Sequence, residues 1–193
     1  MCNKTHNSFI IDQNSLPEKF PTHAHDAVFW ESLGRTIATF GFLEDVLSRA
    51  IFAFTATRPY KEHEIQKAYL DWLPILEHAL TDQLGNLINT YEKVVRDNPN
   101  ATIENLDELV DGLREASKIR NVLCHGSWGV PNANGASIPF FVNRKKEIFD
   151  TAIDCQFLDQ VQQSTTELSC LVINTVTHMG FQFPGSKGPG KPI

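Results

Sequence analysis

Phe29, Leu33, Ile37, Phe40, Leu43, Leu47, Ile51 and Phe54 recur at three- and four-residue intervals near the start of this chain. At about 100° per residue they fall on one stripe, a spacing that a strand of period two cannot reproduce. The opposite face carries Glu31 with Arg35 and Asp45 with Arg49. Both are acid-to-base pairs four apart, as a solvated helix face favours. The pattern predicts one long amphipathic helix over residues 26–54. Arg58-Pro59 ends it, because the residue before a proline avoids the α region.

The same period returns three more times. A second helical stretch covers residues 61–96, with Pro74 expected to kink or split it. Asp97-Asn98-Pro99-Asn100 is a turn cluster. A third helix is expected from an N-cap at Thr102, with Ile103, Leu106, Leu109, Val110, Leu113, Ala116, Ile119 and Leu123 on one side. Gly126 stands where a left-handed C′ residue would end it. A fourth helix runs from an Asp154 N-cap to Met179, and Gly180 stops it. Between the last two, residues 127–153 change character. Pro131-Asn132-Ala133-Asn134-Gly135 and Asn143-Arg144-Lys145-Lys146 read as turns around a short β-like run at 137–142, which suggests a hairpin. The expected architecture is all-α, a bundle of four to five helices with a small β-hairpin insertion between the last two. Residues 1–24 form an irregular arm, 25–180 the domain, and 181–193 a Gly/Pro-rich flexible tail.

Composition narrows the function classes. No apolar run reaches the roughly 18–20 residues that span a bilayer, and the first residues show no signal-peptide core, so a cytoplasmic protein without membrane contact is expected. Cys2, Cys124, Cys155 and Cys170 form no CxxC pair and read as reduced thiols. The net charge of −6 argues against broad, charge-driven nucleic-acid binding but leaves room for a small basic cleft.

Two charged residues break the helical pattern. Arg120 falls in the middle of the third helix's apolar stripe, beside Leu109, Leu113 and Leu123. Glu44 falls inside the first helix's stripe, between Ile37 and Ile51 in angle. A charge in such a place is costly unless paired. The two anomalies therefore suggest each other, either as a structural ion pair or as two walls of one cleft. Asn121 and His125 lie four apart on the helix's last turn, on a side that borders Arg120. A guanidinium, an amide and an imidazole thus converge at one helix end. Phosphodiester cleavage by an internal 2′-hydroxyl needs such groups: histidine moves protons near neutral pH, and arginine holds the phosphate and its developing charge. No metal or other cofactor enters such a scheme.

The string Arg120-Asn121-Val122-Leu123-Cys124-His125-Gly126 resembles the signature of the HEPN superfamily: an Arg, a polar residue directly after it, and a His about a turn later. Phe40-Gly41-Phe42-Leu43-Glu44-Asp45-Val46-Leu47 is similar to the first-helix pattern of several HEPN families. The hairpin after His125-Gly126-Ser127-Trp128 and the last long helix fit as well, and the resemblance covers roughly residues 25–180. It implies a helical bundle that forms a homodimer with the motif helices facing each other. Many members are metal-independent endoribonucleases in toxin–antitoxin, defence or RNA-processing roles; others are non-catalytic binding or regulatory modules. Carried over by position, Arg120 and His125 are the catalytic pair, Asn121 orients them, and Glu44 and Ser117 support them. RNA, single-stranded or in loops, is the implied substrate, and an antitoxin or regulatory protein a further partner. One subfamily that pairs with a nucleotidyltransferase antitoxin carries a Tyr two residues after the His, a position held here by Ser127.

Further residues admit two readings each. Trp128 either stacks a base or packs. Arg144, Lys145 and Lys146 either contact phosphate near the site or form a solvated turn. His23-Ala24-His25-Asp26 is either a metal-binding fragment or a solvated leader. Cys124 beside His125 suggests a thiol nucleophile, but neighbours on a helix point about 100° apart.

Overall fold

A computed structural model describes residues 8–188. Five α-helices make up the bundle: α1 (Ala27–Ala56), α2 (Ile65–Thr81), α3 (Leu84–Asp97), α4 (Leu106–His125) and α5 (Cys155–Thr177). No helix among the described residues is long and apolar enough to cross a membrane. α1 is the central element and packs against all four others, most extensively against α5. Its stripe of Phe29, Leu33, Phe40, Leu43, Leu47, Ile51 and Phe54 is buried as the periodicity predicts. Ile37 is only partly covered.

Several polar groups inside this core pair with one another or with backbone carbonyls. The Tyr91 hydroxyl of α3 lies 2.9 Å from that of Thr175 on α5. Thr36 donates to the carbonyls of Ser32 and Leu158, and the Asn98 side chain donates to the Phe54 carbonyl, tying the end of α3 to the end of α1. The surface pairs Glu31–Arg35 and Asp45–Arg49 form at 2.8 and 2.9 Å.

Local chemistry sets the ends of α1 and α5. The carboxylates of Asp26 and Asp154 each accept from a backbone N–H three residues on, at 2.8 Å. The predicted second stretch is two helices, and they separate at Asp82 and Gln83, where the backbone is extended, rather than at Pro74. Pro74 and Leu70 are both exposed, so the carbonyl that loses its partner faces solvent. α4 begins at Leu106 after Asn105, which makes no side-chain cap, instead of at Thr102. Gly126 has φ −70°, so it does not end α4 through a left-handed turn. Glycine is needed for room: a Cβ would lie 2.6 Å from the Val122 carbonyl oxygen and 2.8 Å from Pro139 Cβ. Gly180, at φ 82°, does take the left-handed conformation.

Among the described residues no strand forms, and the hairpin expected over 127–153 is reduced to three isolated antiparallel bridges: Ser127 with Phe140, Ser137 with Ile153, and Val142 with Ile148. Pro131 and Pro139 supply no ladder donors, and the Asn132 and Asn143 side chains accept from nearby backbone N–H groups, which favours turns over a ladder. The start of the tail is not loose. Phe183 is buried in the core, and the Arg49 guanidinium donates to the Pro184 carbonyl. The expectation of flexibility for residues 189–193 lies outside the described residues.

Candidate active site

The middle of α1 and the last turns of α4 bring together the residues that break the apolar pattern. Arg120 Nη2 lies 3.4 Å from Glu44 Oε1, with the two side chains 23% and 28% exposed. Both are therefore mostly covered but reach solvent. Glu44 Oε1 itself is buried and accepts no hydrogen bond, so the contact is an ion pair of poor hydrogen-bond geometry. On its other side the Arg120 guanidinium donates from Nη1 to Asn121 Oδ1 at 3.4 Å, a long bond. Glu44, Arg120 and Asn121 form one chain of contacts that leaves the guanidinium donors incompletely used.

His125 is the last residue of α4 and is exposed, one turn beyond Asn121 on the same side. Ser117, two turns before the end, faces α3: its Oγ is the nearest atom to a Cβ placed on Gly85. Cys124 is exposed beside His125 but makes no contact that would activate a thiolate.

The other sequence-derived candidates stand apart. Trp128 joins an aromatic cluster, edge-on to Phe29 at 5.0 Å, Trp30 at 6.4 Å and His25 at 6.1 Å. That favours packing over base stacking. Arg144, Lys145 and Lys146 occupy an exposed turn, with Lys146 at φ 64° and the Lys145 N–H donating to Asn143. Arg120 and Asn121 are half-buried and His125 is exposed, so the candidate site reaches the surface.

One residue with unusual chemistry was legible only as a metal fragment. His25 is 8% exposed, stacks on Phe29 at 3.9 Å, and places Nε2 3.0 Å from the Ser137 hydroxyl. Burial lowers its pKa from the usual histidine value, opposed by a hydrogen bond to the Gly129 backbone and by Asp26. His25 therefore joins the leading segment to the 127–153 excursion. His25 precedes the Asp26 cap in extended backbone, so helical periodicity gave no signal for its burial. Among the described residues no three of His, Cys, Asp and Glu gather to hold a metal ion.

Fold and site together define an all-α bundle with an Arg-Asn-x-x-x-His helix end facing an acid from the central helix. No family model, curated protein or solved structure matches the chain.

Proposed function

We propose that this protein is a HEPN-type endoribonuclease that cleaves single-stranded or loop RNA without metal. The observation that carries the reading is the Arg120 guanidinium, held between Glu44 and Asn121 at the end of the helix that also presents His125. In the reaction the substrate's 2′-hydroxyl attacks the adjacent phosphorus. A bond from O2′ to phosphorus forms and the bond to O5′ breaks, leaving a 2′,3′-cyclic phosphate and a 5′-hydroxyl. His125 takes the 2′-hydroxyl proton while water protonates O5′, or gives a proton to O5′ while water takes the other, and Arg120 binds the phosphate. Asn121 orients Arg120. Pairing α4 with its counterpart in a second copy would enclose the site and double its positive charge.

A second reading is a non-catalytic HEPN dimer that acts as a binding or regulatory module. It is favoured by the net charge of −6, which argues against broad, charge-driven RNA binding. The two readings separate in one assay: purified protein with a mixed RNA substrate in EDTA, wild type against His125→Ala. The enzyme reading expects cleavage by wild type and at least about a hundredfold loss in the variant. No cleavage by either across a broad RNA panel selects the module. Equal cleavage by both means a contaminating nuclease and removes the support for catalysis.

A further inference from the structure

α2 is held weakly by its own bundle. Of its 17 residues only Ala79 is buried. A cavity of about 770 Å³ opens between it, α1 and α3, bordered by Phe54, Trp72, Ile75 and Asn86. Its side-chain ties to α1 are the Ser48 hydroxyl on the Ala79 carbonyl and the Trp72 indole N–H on the Thr55 hydroxyl. A helix of this length draws its stability from burying an apolar face rather than from propensity. Yet Ile65, Tyr69, Leu70, Leu73 and Leu80 are exposed, from 41% at Leu73 to 74% at Leu80.

All of these but Leu70 share one surface with the half-buried Leu76. At about 100° per residue Ile65, Tyr69, Leu73, Leu76 and Leu80 fall in one sector of roughly 80°, beside the Ala68–Trp72–Ile75–Ala79 edge turned toward the bundle. Phe52 of α1, also exposed, extends the patch through Trp72, whose ring lies 5.9 Å away. The open apolar area is on the order of 500 Å², at the upper end of what a monomer carries in one patch.

We infer that this face is covered by the same face of a second copy, with the two α2 helices antiparallel about a two-fold axis near Trp72 and Leu73. The outer apolar positions are symmetric about that point. Ile65 comes opposite the partner subunit's Leu80 and Tyr69 opposite the partner subunit's Leu76, which is the self-complementarity an isologous contact requires. The charges agree. Lys67, Asp71 and His78 turn toward the cavity, and Glu77 is the one charged side chain flanking the open stripe. In the antiparallel pair its two copies stand roughly 13 Å apart along the axis, so the like charges do not oppose each other. Two copies together bring on the order of 1,000 Å² of apolar surface, the lower end for a specific interface. This contact is separate from any pairing of α4 and does not rest on the ribonuclease reading.

The test is sedimentation velocity of the full chain at about 1–50 µM, wild type against Leu73→Glu, with circular dichroism to confirm that the helices remain. The expected result is loss of one two-fold step, dimer to monomer or, where α4 also pairs, tetramer to dimer, with association at least about a hundredfold weaker. A monomeric wild type overturns the inference and leaves the face to a different partner. An assembly unchanged by Leu73→Glu overturns it in favour of another interface. Should Leu73→Glu lose helix, mild oxidation of Leu73→Cys replaces it. A disulfide joining two chains through position 73, identified by peptide mass, supports the contact. A dimer without that link overturns it.

Discussion

Glu44 Oε1 is buried without a hydrogen bond 3.4 Å from Arg120 Nη2, so each of these charges is the other's principal compensation. Removing the base leaves the acid alone in a mostly apolar wall, which costs more than the pair itself contributes. Arg120→Ala should lower stability by about 1–2 kcal/mol. Glu44→Gln in the Arg120→Ala background should restore part of that loss. Urea unfolding of the two single variants and the double variant measures the coupling; strict additivity would show that the two side chains do not depend on each other.

His25 gives a stability change on the acid side of neutrality. Its folded pKa is lowered by burial, so the unfolded chain binds the proton more readily. The contribution is complete above about 6.5, the ordinary histidine value, and is lost as pH falls through the folded pKa. Glu92 is also lowered, chiefly by its hydrogen bond from Arg96, but its window opens only below the ordinary carboxylate value of 4.5. Between pH 7.5 and 5 the melting temperature should therefore fall in wild type and fall less in His25→Gln. Parallel slopes for both would show that His25 does not drive the change.

Tyr91 acts at the opposite end of the scale. Burial pushes its pKa up to about 12, against a smaller opposing effect from its hydrogen bond with Thr175. The unfolded chain releases this proton near 10, so the contribution is present below 10 and is lost as pH rises through 12. In an ultraviolet titration the phenolate signal of Tyr91 should come late, with unfolding. Tyr91→Phe should remove that late signal and cost about 1 kcal/mol, the usual worth of one buried hydrogen bond.

Gly126→Ala tests the join between α4 and the excursion that follows it. At φ −70° alanine meets no backbone strain, so any loss comes from the clash with Val122 and Pro139. The expected cost is about 1–3 kcal/mol, the range for overpacking against backbone and a rigid ring. A thermal melt equal to wild type would mean that residues 126–139 can shift without penalty.

Whatever depended on local periodicity was legible in the sequence. The stripe of α1 and the facing of Glu44 and Arg120 follow from angles along single helices, and the Asp154 cap from its residue type just before an apolar run. What depended on which side of an element meets its neighbours was not. Pro74 is tolerated because that side of α2 is open, and no residue in α2 announces this. Trp128 became a packing residue because the chain after Gly126 turns back over His25 and Phe29. The hairpin shrank to single bridges because Asn132 and Asn143 closed turns locally. Phe183 reaches the core from a stretch whose Gly and Pro content suggested the reverse.

The most extensive helix contact joins α1 to α5, the first and last helices of the bundle. For an all-helical protein this is a non-local arrangement, since most helical bundles gain speed from neighbours in sequence pairing first. During synthesis the apolar stripe of α1 stays uncovered on that side until Cys155–Thr177 has emerged. Over that interval the nascent chain presents part of that stripe to whatever binds exposed hydrophobic segments, so chaperone demand should be set by the timing of α5 rather than by final stability.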